Sequence, residues 1–397
     1  MAEDRQPFIE PWIEPELWNA EDFKNVKTPA YVVDEKILKR NLKIIDGVQK
    51  ESGAKILMAL KGFSMFAVFP LIKKYLPGTE ASSIDEARLG AEEFGGEVHT
   101  FCPAYTKESI GEFIKYSDHL IFNSFSQWNS LKQIVLGSEK KVSCGLRVNP
   151  EHCETETPMY DPCGPVSRLG VTIKNFRFVD LEGIEGLHFH NLCELNADAL
   201  LRTLKVFEEK FGEFLPKMKW VNFGGGHHIT RKDYDVALLV KVIKDFKQRY
   251  PNLEVYLEPG EAIALNAGVL VAGVADITNN EMDIAILDVS AAAHMPDVIE
   301  MPYRPTILNA GISGEKKYTY RLGGPSCLAG DVIGDYSFDE PLKVGDKLIF
   351  LNMAIYTMVK NNTFNGLRLP DIVVRDLTGG FKIIKTFGYE DFKNRLS

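Results

Sequence analysis

The chain has 397 residues, of which 45% are hydrophobic and 25% are charged, and its formal net charge is −9. This length predicts two domains or a barrel with an appended domain, and the acidic balance argues against nucleic acid while it suits a cationic ligand. No apolar run approaches the roughly 18 residues that span a bilayer, and no signal-peptide pattern opens the chain, so a membrane protein is not expected. The six cysteines form no CxxC pair and no metal-ligand spacing. They indicate reduced thiols and a cytoplasmic location.

Between residues 36 and 267, short apolar runs alternate with amphipathic helical segments. The first helix shows apolar residues spaced near 3.6, at Leu38, Leu42, Ile45 and Val48. Strands are predicted at 54–61, 79–82, 97–101, 118–122, 142–148, 183–189, 218–223 and 253–258. Eight strand–helix units of this length predict an α/β fold, a (β/α)₈ TIM-type barrel. Residues 150–180 form a long insertion after the fifth strand, of a kind that is usually functional or interfacial.

From residue 268 to 397 the pattern changes to strands joined by turns. Predicted strands are Val269–Ile277, Ile284–Asp288, Tyr318–Leu322 and Lys347–Leu351. They indicate a separate antiparallel β domain. Residues 1–35 are assigned to the same domain, because the extended segment Pro29–Val33 precedes the first barrel helix and can pair with its strands.

Polar residues collect where the barrel strands end, which is where the active sites of such barrels lie. Lys61 closes an apolar strand, so it is either a lysine that extends into solvent or a desolvated amine able to form a Schiff base. Gly224, Gly225 and Gly226 follow the seventh strand, as a tight turn or as a phosphate cradle. Ser83–Glu86, after the second strand, is typical of a helix capping box.

His188 and His190 lie near the end of the sixth strand, where alternation predicts that they point to opposite faces and that one faces the barrel interior. An HxH pair also occurs in metal-dependent hydrolases of this architecture, but no later histidine and aspartate ligands follow in register. We therefore expect no metal and a core or ring-stacking role for one histidine.

Glu258 ends the buried eighth strand and needs a cationic partner there, either Arg147 at the end of the fifth strand or a protonated nitrogen of a ligand. A lysine, a glycine-rich turn, a histidine and a buried carboxylate together describe a pyridoxal-phosphate site. In it Lys61 forms the Schiff base, the glycines hold the phosphate, and Glu258 keeps the ring nitrogen protonated. Arg147 is also expected to contact the cofactor.

These motifs resemble the fold-type III pyridoxal-phosphate enzymes, the superfamily of alanine racemase and the ornithine and diaminopimelate decarboxylases. The matching segments are Ala59–Gly62, Phe189–His190, Gly224–Gly226, Glu258–Gly260, Gly324–Cys327 and Tyr356. The resemblance implies that His190 stacks on the cofactor ring and that Tyr356 helps to hold the phosphate. It also implies a homodimer with shared active sites, in which Cys327 reaches the partner's site and donates a proton.

Two departures narrow the resemblance. Glu261 stands where ornithine and diaminopimelate decarboxylases carry arginine after Glu-Pro-Gly, and Leu328 stands where ornithine decarboxylases carry aspartate after the cysteine. The segment from Ser290 to Pro305 is similar to carboxynorspermidine/carboxyspermidine decarboxylases. This similarity implies decarboxylation of a carboxylated polyamine, with Glu261 and Asp297 binding its protonated amines. The alternatives are a decarboxylase of diaminopimelate or ornithine type, and a non-catalytic regulator with this fold.

Overall fold

The computed structural model describes residues 10–155, 157–177 and 180–397. These residues form two compact units: Lys39–Ile263, and the residues up to Leu38 together with Ala264–Ser397. The boundaries of the barrel unit lie a few residues from 36 and 267, the limits expected from the sequence. Residues 1–9 of the predicted 1–35 segment, and residues 156, 178 and 179 of the 150–180 insertion, lie outside the described residues.

Strand β1 (Ala30–Asp34) precedes the barrel and belongs to the second unit. The strands of the barrel unit are β2 (Lys55–Ile56), β3 (Met58–Ala59), β4 (Gly78–Ala81), β5 (Glu97–Phe101), β6 (His119–Phe122), β7 (Ser143–Asn149), β8 (Val171–Thr172), β9 (Ile184–His188), β10 (Trp220–Asn222) and β11 (Glu254–Leu257). They are all parallel, in the order β2-β11-β10-β9-β7-β6-β5-β4-β3, with β8 added beside β7.

The barrel is closed by its first strand, which the sequence predicts as one run and the structure divides into β2 and β3. β2 pairs with β11, and β3 pairs with β4. Between them the Leu57 N–H donates to the Leu257 carbonyl at 2.8 Å, and the Leu60 N–H donates to the Glu80 carbonyl at 3.0 Å. The predicted (β/α)₈ barrel is thus confirmed, and the carboxyl ends of its strands share one face.

The helices of the barrel are α1 (Glu35–Ser52), α2 (Phe69–Ile72), α3 (Ile84–Leu89), α4 (Ile110–Tyr116), α5 (Phe125–Leu136), α6 (Ala197–Phe211), α7 (Val236–Arg249) and α8 (Glu261–Ala264). On α1 the predicted stripe is fully buried at Leu42, Ile45 and Val48. Ser83 caps α3 by accepting from the Glu86 N–H at 3.2 Å, but the Glu86 carboxylate accepts from Ser82 N–H instead of closing the predicted box at Ser83.

The second unit contains a sheet built around β1. Its other strands are β12 (Gly268–Asn280), β13 (Met282–Leu287), β14 (Gly311–Ile312), β15 (Tyr318–Gly323), β16 (Val332–Phe338), β17 (Lys347–Leu351), β18 (Asp371–Arg375) and β19 (Phe381–Lys385). The order is β14-β16-β15-β13-β12-β1-β18-β19, with β17 beside β12. Most pairs are antiparallel, as predicted, but β1–β18 and β13–β15 are parallel. The expected pairing of Pro29–Val33 with this domain is confirmed by β1.

Four one-turn helices complete the second unit: α9 (Ala291–His294), α10 (Asp297–Glu300), α11 (Thr357–Lys360) and, of five residues, α12 (Tyr389–Lys393). None of the helices in the described ranges is both long enough and apolar enough to cross a bilayer.

Candidate active site

A cavity opens at the carboxyl ends of the barrel strands. It is lined by Lys61, Glu80, Ser82, Phe101, Arg147, His188, His190 and Glu258. Four of the residues predicted from the sequence as site residues, Lys61, Arg147, His190 and Glu258, therefore come together here. Glu80 and His188 were not predicted as site residues, although both lie at strand ends.

Glu258 is 4% exposed, and both of its carboxylate oxygens are held by barrel side chains. Oε2 accepts from His188 Nε2 at 3.1 Å, and Oε1 accepts from Asn222 Nδ2 at 2.5 Å. Burial alone would raise the pKa of Glu258, but the hydrogen bonds from His188 and Asn222 hold it below its usual value. Glu258 is therefore ionised, and each oxygen keeps a lone pair for a ligand donor.

His188 and His190 both line the cavity, so the prediction that they point to opposite faces is wrong. Strand β9 ends at His188, and strand alternation does not extend to His190. His190 Nδ1 accepts from the Gly225 N–H at 2.6 Å, which leaves the ring proton on Nε2. Burial lowers the pKa of both histidines, so both rings are neutral near pH 7.

Arg147 is 5% exposed and does not pair with Glu258, so the structural ion pair considered from the sequence is not formed. Its guanidinium lies 4.5 Å from the ring centroid of Phe101 and donates to the His190 carbonyl at 3.1 Å. Burial lowers the pKa of Arg147 to about 10, which leaves it charged at neutral pH. Within the described ranges no carboxylate forms an ion pair with Arg147, so this cation is available to an anionic ligand.

Lys61 lines the same cavity and makes no hydrogen bond or ion pair with any residue in the described part of the chain. The turn behind it packs closely on the Glu-Pro-Gly turn, because a Cβ on Gly62 would lie 3.0 Å from the Gly260 Cα. The strand ends that carry Lys61 and Glu258 are thus in contact through two glycines.

Glu80 lies near the end of β4, the strand that pairs with the one before Lys61, and is 5% exposed. Burial, together with the negative charge of Glu258, raises the pKa of Glu80 to about 8. Its Oε1 accepts from Ser82 Oγ at 3.2 Å. The cavity therefore contains one ionised carboxylate, Glu258, and one carboxyl group that is largely protonated at neutral pH.

The three glycines after β10 are required by close packing. A Cβ on Gly226 would lie 1.9 Å from the Leu192 carbonyl oxygen, and one on Gly224 would lie 2.4 Å from that of Phe189. Two of the three backbone donors are used inside the protein, since Gly224 N–H donates to Asn222 Oδ1 and Gly225 N–H donates to His190 Nδ1. A phosphate cradle at this turn remains a proposal.

Glu261 follows the Glu-Pro-Gly turn on α8, and its side chain is 14% exposed. It forms a side-chain hydrogen bond with Glu194 and lies 3.7 Å from His228 Nε2. Burial raises the pKa of Glu194 and lowers that of His228 to about 3. The surroundings of Glu261 are thus acidic and hold a neutral histidine.

The remaining predicted site residues, Asp297, Cys327 and Tyr356, belong to the sheet unit. Asp297 forms an ion pair with Lys360, which also contacts Glu300 at 2.6 Å. The Cys327 side chain is exposed, and its backbone N–H donates to Asn365 Oδ1 at 2.8 Å. Tyr356 has φ 40° and ψ −51°, and the Thr357 N–H beyond it donates to the Ile355 carbonyl. Tyr356 is therefore the centre of a strained γ-turn, a conformation that is concentrated at functional sites.

The donor set suits pyridoxal phosphate better than a metal ion. No group of three histidine, cysteine, aspartate or glutamate side chains is arranged to hold a metal in residues 10–155, 157–177 and 180–397. An ionised, buried Glu258 and an unpaired, buried Arg147 instead fit a protonated ring nitrogen and an anionic group. Lys61, which the structure leaves facing the cavity, is the residue able to bind an aldehyde.

Comparison with known proteins gives the family. The family model for pyridoxal-dependent decarboxylases, described by its C-terminal sheet domain, matches residues 30–354. The chain is 46% identical to the carboxynorspermidine/carboxyspermidine decarboxylase of Campylobacter jejuni, over 94% of this chain and 99% of that one. It is 45% identical to the carboxyaminopropylagmatine decarboxylase of Synechocystis, over 94% and 96% of the two chains.

A solved structure agrees with these matches. The crystal structure of the Campylobacter jejuni carboxynorspermidine decarboxylase complexed with norspermidine superposes with a TM-score of 0.87 at 46% identity, and it covers 93% of this chain and all of that one. The chain therefore belongs to the pyridoxal-dependent decarboxylases, in the branch of the carboxynorspermidine/carboxyspermidine enzymes, and its cofactor is pyridoxal 5'-phosphate.

Proposed function

We propose that the protein decarboxylates carboxynorspermidine, carboxyspermidine or both, and so forms norspermidine or spermidine in polyamine biosynthesis. The observation that carries this proposal is the presence of Lys61 and the buried, ionised Glu258 in one cavity. Glu261 supports a polyamine substrate, because an acidic residue stands where diaminopimelate and ornithine decarboxylases carry arginine.

Each site residue has a proposed task. Lys61 would hold the cofactor covalently, Glu258 would accept a hydrogen bond from its ring nitrogen, and His190 would pack on its ring. The anionic groups of the cofactor would be held by Arg147, by Tyr356 and by the turn at Gly224, Gly225 and Gly226. Bound pyridoxal phosphate supplies the electron sink for the electron pair that remains when CO₂ departs.

Further residues are proposed for proton transfer and for substrate binding. The Cys327 thiol donates a proton to the α-carbon, and Glu261 and Asp297 bind the distal ammonium groups of the substrate. The domain division proposed here assigns cofactor binding to residues 36–267, and assigns 1–35 and 268–397 to the shared site and the dimer interface.

Carboxyaminopropylagmatine is a second candidate substrate. The Synechocystis relative that acts on carboxyaminopropylagmatine is almost as similar to this chain as the Campylobacter jejuni enzyme. Steady-state CO₂ release should therefore be measured with carboxynorspermidine, carboxyspermidine, carboxyaminopropylagmatine, diaminopimelate and ornithine side by side. We expect the highest kcat/KM for one of the two carboxylated triamines. A higher value for diaminopimelate or ornithine would overturn the proposal, and no CO₂ from any of them would favour a non-catalytic regulator.

A homodimer in which Cys327 serves the partner's site can be tested by mixing two inactive variants. Lys61→Ala and Cys327→Ala chains, unfolded and refolded together, should regain about a quarter of wild-type activity, since half of the dimers would carry one intact site. No recovery in a mixture proven to contain heterodimers would contradict a shared site.

The six free thiols further support a reducing compartment such as the cytoplasm.

A further inference from the structure

The sheet unit contains an ammonium group held by two carboxylates. Asp297 and Glu300 stand at the two ends of the one-turn helix α10, and the Lys360 Nζ contacts both, with Glu300 Oε2 at 2.6 Å. The Asp297 side chain is 17% exposed, that of Glu300 54% and that of Lys360 35%. The pair of carboxylates therefore already binds a primary ammonium at a place that solvent reaches.

We propose that Lys360 is an internal occupant of an ammonium-binding site formed by Asp297 and Glu300, and that the distal primary ammonium of the substrate displaces it. The inference rests on the proposed function, in which Asp297 binds the polyamine, and it adds Glu300 and Lys360 as residues that set substrate affinity. Replacing one ammonium by another leaves the net charge beside the two carboxylates unchanged, so exchange costs little desolvation.

Hydrogen bonds fix the backbone near Lys360, so the exchange needs movement of its side chain alone. The Lys360 N–H donates to the Tyr356 carbonyl at 2.8 Å, and Asn362 is tied to α9 by its N–H to Ala293 O at 2.8 Å and its Nδ2 to Ala292 O at 2.9 Å. Release of the ammonium therefore requires only side-chain rotation. A half-exposed ion pair contributes little stability, so a ligand that gains other contacts can displace it.

The protonation state agrees with this exchange. Burial alone would lower the pKa of Lys360, but its hydrogen bonds and charge interactions with Asp297 and Glu300 raise it above its usual value. Lys360 is thus positively charged near neutral pH. Its ammonium and the distal ammonium of the substrate carry the same charge and compete for the same two carboxylates.

Product binding without turnover tests the proposal. Calorimetric titration of the cofactor-bound enzyme with norspermidine and spermidine should give about five-fold tighter binding for Lys360→Gln than for wild type. KM for the carboxylated triamine should fall in parallel, with kcat nearly unchanged. Lys316→Gln removes a similar exposed ion pair, with Asp339, in the same unit, and it should leave both values unchanged. Unchanged or weaker binding by Lys360→Gln would overturn the exchange.

A measurement on the wild-type protein keeps the proposal testable if that variant fails to fold. Brief acetylation of lysines, read by peptide mass spectrometry, should label Lys360 faster when norspermidine is bound, because its ammonium has left the carboxylates. Unchanged or slower labelling would contradict the proposal. Asp297→Asn tests the proposed substrate site separately from the exchange of Lys360. If this substitution leaves product affinity unchanged, Asp297 is not a polyamine ligand and the proposed site is wrong, whatever Lys360 does.

Discussion

His188 donates from Nε2 to Oε2 of Glu258 across 3.1 Å, and both side chains are almost completely buried. The bond joins the ends of the sixth and eighth barrel strands and fixes the carboxylate in the cavity. Because His188 is neutral, it orients Glu258 without cancelling its charge. A cationic partner such as Arg147 in that place would have competed with a protonated ring nitrogen.

Glu258→Gln should lower kcat by about 10²–10³-fold, the usual cost of removing one preorganised electrostatic contact to the transition state. The amide oxygen can still accept from Asn222, while its NH2 can donate to His188 only if that ring moves its proton to Nδ1. The amide cannot stabilise a protonated ring nitrogen. The measurement is steady-state CO₂ release with the preferred carboxylated triamine. Folding should be checked by thermal unfolding, and activity within a few-fold of wild type would exclude this role for Glu258.

Lys61→Ala should abolish covalent retention of the cofactor. Borohydride reduction of the holoenzyme, followed by intact mass measurement, should add one cofactor mass to the wild type and none to the variant. Lys55→Met is a matched control on the same strand, since Lys55 pairs with Glu97 at 2.7 Å and with Glu254 at 3.0 Å and does not line the cavity. A reduced adduct on Lys61→Ala would show that another lysine holds the cofactor.

The barrel could be predicted from the sequence because its signals are local. Apolar strands and amphipathic helices alternate within a few tens of residues, and the polar residues at strand ends follow from chain order alone. Contacts between residues that are far apart in the sequence leave no such local pattern. Lys360 and Asp297 are 63 positions apart, and β18 reaches β1 from more than 300 residues away.

The missed site residues have physical explanations of their own. Strand alternation predicts that His188 and His190 point to opposite faces, but the alternation ends where β9 ends, at His188. Glu80 lies within the predicted strand 79–82, but its burial depends on the whole cavity, which the sequence alone does not reveal. Strand β19 was not predicted because every residue from Phe381 to Lys385 is exposed, so it lacks the buried face that alternation detects.

Asp331 is expected to position the Cys327 loop. Its buried carboxylate accepts from Ser290 Oγ at 2.8 Å and from the Ser326 and Ala292 N–H groups at 3.2 and 3.3 Å. Asp331→Asn should destabilise the protein by about 1–3 kcal/mol and speed alkylation of Cys327 by iodoacetamide. Asp335→Asn, which breaks an exposed pair with Arg321, is the control. Equal alkylation rates in wild type and Asp331→Asn would contradict this role.

Glu80 should make the stability of the cofactor-free protein depend on pH. Its folded pKa of about 8 lies above the unfolded value of 4.5, so the folded state binds the extra proton between these limits. Its contribution to stability is therefore fully present below pH 4.5 and is lost as the pH rises through 8, with a slope of at most about 1.4 kcal/mol per pH unit. Glu80→Gln removes the titrating group and keeps the shape of the side chain. Chemical unfolding at pH 5, 6, 7 and 8 should therefore show that the free energy of unfolding of the variant rises relative to that of the wild type as the pH rises. Parallel stability curves would mean that Glu80 is ionised in the folded protein.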